Sequence, residues 1–259
     1  MDFNDGFEAR SATGGNTVLT SVGAGDVDGA SMIVRKSNVK VAKASGSSLL
    51  SNGSGNLYSA TIAAEKDAVA LKQLAFEITL TDPGVNMQLN DFSLIKDGTT
   101  INNSVMILEN GSGNDLEPGS GNSVIGNTIV NVIFDGEDLV DAGQTTTYTL
   151  RASFTGVDTG DSVSSRLLGD TNSPDNLGLD TFYTPVLQTY YRSYLIKDNT
   201  GSGSVQLDDD AGNGPVDSNF IWSDSFDSPH DSGFFTSYDW INGFLVKDFP
   251  LESQVLSKN

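Results

Sequence analysis

Between Tyr148 and Phe154 the chain alternates without a break: Tyr148, Leu150, Ala152 and Phe154 are separated by Thr149, Arg151 and Ser153. A period of two places successive side chains on opposite faces of an extended backbone, so this segment is a half-buried strand. Leu74, Phe76, Ile78 and Leu80 repeat the pattern against Ala75, Glu77 and Thr79. Two such segments already require a sheet with one face on a core.

The rest of the chain reads in the same way. Ile33, Val34, Val39 and Val41 mark a strand region interleaved with Arg35, Lys36 and Lys40, and Phe92 and Leu94 begin another. Val105–Leu108 and Ile129–Phe134 are continuous apolar runs, as expected of strands covered on both faces. Val163–Leu168 is expected as the hairpin partner of the Tyr148 strand, and Tyr190–Ile196 as a further strand. Asp82-Pro83-Gly84 is a turn, and Asp97-Gly98 is the strongest hairpin signal in the chain. Ser45–Asn56 and Asn110–Asn122 are rich in Gly, Ser and Asn and read as surface loops. Residues 61–74 hold good helix formers (Ala63, Ala64, Glu65, Lys66 and Ala68), enough for a helical turn but no long helix. The expected fold is all-β, an antiparallel, immunoglobulin-like β-sandwich with long Gly/Asp/Asn-rich loops. Residues 1–30 read as an extended arm and 31–259 as the sandwich, with an aromatic-rich final part, 218–259. No fixed-period repeat is present.

Composition narrows the setting. The acids are 27 Asp against only 7 Glu, which favours turns over helices. A net charge of −20 opposes a phosphate backbone, so nucleic acid is not an expected partner. The absence of cysteine removes disulfides and thiolate chemistry, and fits an exterior location stabilised by β packing and ions. No apolar run approaches the length of a membrane-spanning helix, so no membrane insertion is expected. Met1–Arg10 lacks the basic and apolar regions of a signal peptide, which suggests a mature form or a fragment.

Two segments carry a resemblance. Asn219-Phe220-Ile221-Trp222-Ser223-Asp224, the spacer with His230, Asp239-Trp240-Ile241-Asn242-Gly243-Phe244-Leu245-Val246-Lys247 and Pro250 resemble a C-terminal pattern of large surface proteins of candidate-phyla bacteria. Gly143–Leu150 followed by Gly160-Asp161-Ser162-Val163 is similar to the same proteins, although many immunoglobulin-like surface domains share that strand pair. The resemblance implies an exported, S-layer-like β-sandwich protein with no assigned enzyme activity. The chain departs from it in lacking cell-wall-binding modules and in carrying Phe249 where a smaller residue is usual.

Three groups of residues are candidates for chemistry. Asp170, Asn172, Asp175 and Asp180 form one oxygen-rich segment; Asp208, Asp209, Asp210 and Asp217 form another. Ca²⁺ takes six to eight such oxygens, so calcium is the candidate ion, while ordinary Asp/Asn turns explain the same composition. Trp222, Tyr238 and Trp240 are candidates for a sugar-stacking platform on a cell-surface glycan, or else are core residues. His230, the sole histidine, has Ser228, Ser232, Asp227 and Asp231 beside it, but sequence neighbours rarely adopt triad geometry and no nucleophile-elbow motif is present. A further group concerns assembly with copies of the same chain. Val18, Leu19 and Val22 in the arm are candidate strand-exchange residues. The tail, with Leu251, Val255 and Leu256, is expected to close its own sheet. These features lead to two expectations: a self-associating structural subunit of an extracellular coat or filament, and, as the alternative, a carbohydrate-binding or adhesive surface module.

Overall fold

The computed structural model describes residues 7–10, 16–19, 35–46, 48–170, 218–225, 240–244 and 246–258. The chain divides into two compact units, Met1–Val34 and Arg35–Asn259. In the first, β1 (Phe7–Arg10) pairs antiparallel with β2 (Asn16–Leu19), Phe7 opposite Leu19.

The second unit is built from β3 (Val39–Lys43), β4 (Gly53–Ala64), β5 (Val69–Thr81), β6 (Gln88–Lys96), β7 (Thr99–Thr100), β8 (Met106–Asn110), β9 (Thr128–Val140), β10 (Thr145–Thr155), β11 (Ser162–Leu167), β12 (Phe220–Ser223), β13 (Trp240–Asn242) and β14 (Gln254–Ser257). One 3-10 turn, Asn103–Val105, is the sole helical element among the described residues. The first sheet runs β3-β4-β10-β6-β7. The second is organised on β5, which pairs with β9 along one edge and with β12 and β11 along the other; β8, β13 and β14 extend it. All of these ladders are antiparallel, which confirms the expected sandwich.

The alternating residues meet where expected. Tyr148, Leu150 and Phe154 of the first sheet and Leu74, Phe76 and Ile78 of the second belong to one buried cluster. Tyr58 meets Phe76, and Phe134 meets Tyr148, edge to face at 6.2 and 6.5 Å between ring centroids, joining the two sheets. Offset and edge-on ring pairs of this kind add about 1 kcal/mol each beyond area burial. Asp97 and Gly98 both adopt positive φ (47° and 85°) and turn β6 into β7, as the Asp-Gly pair predicts.

Three expectations are corrected. Residues 61–74 contain no helical turn: 61–64 finish β4 and 69–74 begin β5, because ladder pairing on both sides outweighs the local helix preference of Ala63 and Ala64. The presumed loop Ser45–Asn56 contains the start of β4, with Gly55 pressed against Phe154; a Cβ there would lie 2.8 Å from the ring. The segment Val163–Leu167 does not pair with the Tyr148 strand. It lies in the other sheet, Val163 opposite Leu80 and Leu256. The connection after β10 therefore crosses between sheets. Gly156 makes that crossing possible: its φ is +69°, and a Cβ would lie 2.1 Å from the Asn86 carbonyl oxygen. The expected strand Tyr190–Ile196 lies outside the described residues.

Candidate functional site

Two sheets stacked face to face leave edges, and the edges are where this sandwich differs from one side to the other. The Gly/Ser/Asn-rich stretch between β8 and β9 covers two of them. Leu116 donates its N–H to Leu108 of β8 at 2.8 Å and accepts from Phe92 N–H of β6 at 2.9 Å, so one buried residue bridges both sheets. Val124 exchanges two backbone bonds with Leu89, at 2.7 and 3.0 Å. The expected free loop is thus an edge cover, readable from the isolated apolar residues Leu116 and Val124 inside a polar stretch. Beyond β14, residues 48–50 supply a cover: Leu50 N–H donates to the Ser257 carbonyl at 3.0 Å and Ser257 N–H to the Ser48 carbonyl at 2.9 Å. The tail closes its own sheet, as expected.

β3 is different. It pairs with β4 on one side, Val41 opposite Ile62, and no described strand pairs with its other side. Bonds from Glu65 N–H to Asn38 O and from Ala44 N–H to Ser59 O fix which residues face β4. By the alternation of an antiparallel ladder, the backbone groups of Val39, Val41 and Lys43 point away from β4. The buried Val39 and Val41 anchor the strand to the core, while Lys40 and Ala42 are exposed.

The strand is held by polar contacts at its start. Ser37 is buried; its hydroxyl donates to Asp67 O at 2.7 Å and accepts from Asp67 N–H at 3.1 Å. Lys36 pairs with Asp67 at 2.9 Å, Lys40 pairs with Glu65, and the Lys36 N–H donates to the buried Asp224 carboxylate at 2.7 Å. Hydrogen bonding from Lys40 holds the Glu65 carboxyl below its ordinary range, and Lys36 does the same for Asp67. Lys43 Nζ reaches the Ser253 carbonyl at 2.6 Å. Arg35, Lys36, Lys40, Lys43 and Lys66 thus gather around one strand, against Glu65, Asp67 and Asp224, in a chain of net charge −20. Sequence reading noted Arg35, Lys36 and Lys40 here but assigned them no role; the signal was a basic cluster in an acidic chain.

The predicted metal residues divide. Asp170 is a backbone clamp: its carboxylate accepts N–H groups from Asn219 (2.6 Å), Phe220 (3.2 Å) and Gly243 (2.7 Å). Burial pushes its carboxyl above the ordinary range, and the three donors act in the opposite sense. Asn172, Asp175, Asp180, Asp208, Asp209, Asp210 and Asp217 lie outside the described residues. Among the described residues, no group of three or more Asp, Glu or His side chains is arranged to hold a metal ion.

The aromatic platform is corrected. Trp222 stands opposite Ile241 and Trp240 opposite Ser223, so the two indoles point to opposite faces of the sheet, and they are only 3% and 2% exposed. Trp222 joins the inter-sheet core, with the Arg35 guanidinium 5.2 Å above its ring. The two therefore form no shared stacking surface. Tyr238 and His230 lie outside the described residues. Phe249, where a smaller residue is usual, meets Phe220 at 5.1 Å with the rings tilted by 57° and fills the space over Gly169, where a Cβ would lie 2.3 Å away.

Of the assembly residues, Val18 and Leu19 sit in β2, opposite Glu8 and Phe7, so the expected extended arm contains a strand pair of its own. Val22 lies outside the described residues. Two buried polar groups were not anticipated. Lys72 donates its ammonium to the carbonyls of Asp135 (3.0 Å) and Gly136 (2.6 Å) where β5 and β9 bulge apart, and burial lowers its pKa. Tyr148 donates its hydroxyl to Asp138, which also pairs with Lys96 at 2.8 Å. Burial, then the Asp138 charge, pushes the Tyr148 phenol well above its ordinary value.

No protein-family model matches the chain, and no curated protein matches it. Among solved structures, it is similar to the pilus backbone (RrgB) of Streptococcus pneumoniae at 10% identity and a TM-score of 0.27, over 53% of this chain and 32% of that one. It is similar to BcpA, the major pilin subunit of Bacillus cereus, at 14% identity and a TM-score of 0.25, over 51% and 35%. A third, AvmM, which catalyses macrocyclization in alchivemycin A biosynthesis, gives 9% identity and a TM-score of 0.24, over 51% and 73%. The chain spans about a third of the length of the two pilins.

Proposed function

We propose that this chain is a structural subunit of an extracellular surface assembly, an S-layer-like coat or filament formed from copies of itself. The observation that carries the reading is the edge position of β3, which no described strand extends on its outer side, on a sandwich whose β6, β8 and β14 edges are largely covered. A sheet edge is where a further strand can add. Among the described residues no helix is long and apolar enough to cross a membrane. The reading assigns the chain no catalytic role. The resemblance of Asn219–Asp224 and Asp239–Lys247 to candidate-phyla surface proteins supports an extracellular setting.

Calcium enters as a stabiliser through Asn172, Asp175 and Asp180 and through the Asp-rich segment 208–217, which would supply hard oxygen ligands. The test is sedimentation velocity and negative-stain electron microscopy of the purified chain, with calcium and with EGTA. Concentration-dependent growth into sheets or fibres is expected. A monomer at every concentration and in both conditions would sink the reading. Growth that is the same in EGTA would remove calcium from it.

A further inference from the structure

We infer that the outer face of the first sheet, centred on β4 and β10, is where two copies of the chain pack sheet against sheet. This rests on the self-associating reading above and names the surface and its occupant. β10 is the middle strand of that sheet, and Tyr148, Leu150, Ala152 and Phe154 take its inner side. Its outward positions are therefore Thr145, Thr147, Thr149, Arg151, Ser153 and Thr155. The ladder continues them into residues as small: Thr147 stands opposite Thr61 and Thr61 opposite Ala42, while Thr149 stands opposite Ser59. Ala42 and Thr145 are exposed and Thr61 and Thr147 half-buried, so the face can be reached.

Charge selects the occupant. The outward positions of β3, β4 and β10 hold Lys40 and Arg151 and no Asp or Glu, in a chain of net charge −20. Glu65 at the rim is paired with Lys40, and Asp91 in the β6 bulge accepts the Gly119 N–H. The outward positions of the second sheet, by contrast, include Glu77 and Glu109. Copies of so acidic a chain repel one another, and a face without carboxylates is where they approach at least cost. Burial is also cheap there, because the hydroxyls are already bonded within the face. Ser59 bonds Thr149 at 2.8 Å, Ser54 bonds Ser153 at 3.4 Å, and Thr61 donates to the Ala42 carbonyl at 3.3 Å. Strands β3, β4, β10 and β6 about 4.8 Å apart, with 11 residues in β10, present about 700 Å² on each copy, near the roughly 800 Å² per partner of a standard interface. The contact uses the same face on both copies, so it is two-fold and closes on a pair, which becomes the unit of the assembly.

The chain has no cysteine, so an introduced thiol reports without background. Full-length Ala42→Cys and Ser54→Cys proteins, exposed on this face, are labelled with a maleimide when dispersed at low concentration and again when assembled. Thr81→Cys, exposed on the outer side of the second sheet, is the control. Labelling of the first two is expected to slow about tenfold or more on assembly, because an interface core packs as densely as a protein interior, and that of the control to slow less. The Thr61→Glu/Thr147→Glu variant, confirmed folded by its melting transition, sets like charges against each other across the contact and is expected to need about tenfold or more protein to assemble. Thr79→Glu/Thr81→Glu, with the same added charge on the second sheet, is expected to assemble more readily than that variant. Face cysteines that label equally fast in both states would overturn the inference and leave the proposed function standing. Slow labelling already in the dispersed protein would overturn it in favour of a cover from the chain itself, and protection of the dispersed protein by an added soluble β-glucan in favour of a glycan. Failure of the unmodified protein to assemble would overturn both.

Discussion

The Asp170 carboxylate accepts the backbone N–H of Gly243 at 2.7 Å, across 73 positions of chain. The same carboxylate takes the N–H groups of Asn219 and Phe220, so one side chain ties the end of the β11 segment to the start of β12 and the end of β13. Gly243 has to be glycine for this contact. A Cβ would lie 2.9 Å from the Asp170 oxygen and 3.0 Å from Phe220.

Asp170→Ala strands three inward-facing N–H groups and is expected to cost about 3 kcal/mol or more, at 1–3 kcal/mol for each unsatisfied buried donor. Asp170→Asn keeps one oxygen and sets its amide against at least one donor, so a smaller loss of about 1–2 kcal/mol is expected. Urea melts of the two variants measure the difference; equal losses would contradict the clamp.

Tyr148→Phe removes the hydroxyl bond to Asp138 and leaves the Lys96 pair in place. A loss of about 2 kcal/mol is expected, the range for hydrogen bonds to charged groups. Asp138→Ala, which leaves both Tyr148 and Lys96 without the carboxylate, should cost more. Thermal denaturation ranks them.

Gly156→Ala forces a positive φ on a residue with a side chain and drives its Cβ into the Asn86 carbonyl. The expected cost is about 2 kcal/mol or more. By contrast Gly143→Ala, also at positive φ (69°) but with open space around it, should lose only the conformational part. Chemical denaturation of the pair separates collision from backbone strain.

Glu65 and Asp67 are held below their ordinary pKa values by Lys40 and Lys36. A carboxyl lowered in the folded state contributes stability above its unfolded value, and that contribution is lost as pH falls through the folded value. The start of β3 should therefore loosen below about pH 4, in the range of unperturbed carboxylates, while the core stays formed. Amide hydrogen exchange of Asn38 and Lys40 against that of Leu150 would show it; parallel behaviour of the three would argue against local release.

Tyr58 gives the alkaline counterpart. Burial, its largest influence, pushes the phenol up to about 12. Its contribution should be complete below the ordinary tyrosine value and decline as pH rises through the folded one. Absorbance titration of phenolate in the native protein, with Tyr58→Phe as reference, follows it.

The strands were legible because alternation is a local signal: Leu74–Leu80 and Tyr148–Phe154 carry their faces in their own order. Pairing was not. Nothing in Val163–Leu167 shows that it ladders with Leu80 and Leu256 instead of following β10 back, because that choice depends on the crossing at Gly156. Local preference also misled at Ala63 and Ala64, where ladder bonds outweigh helix propensity. For the site, Asp170 was visible as an acid in a loop but not as a clamp, since its three donors come from distant segments. Trp222 and Trp240 could be read as one platform only until the β12–β13 register placed them on opposite faces. The edge position of β3 could not be read from β3 itself, because it depends on which other strands pair with it.

The arrangement around β5 also sets a schedule for folding. The long edge formed by residues 70–81 receives β11 in its second half, yet its first half waits for β12, and β11 in turn waits for β14. A ribosome that has released residues up to Leu167 has therefore made most of one sheet and left the hub of the other half-dressed. Such non-local pairing is slow and leaves sticky intermediates. β12, β13 and β14 reach the second sheet only once the chain up to residue 257 has been made, so that flank of β5 and β11 is the last to be dressed.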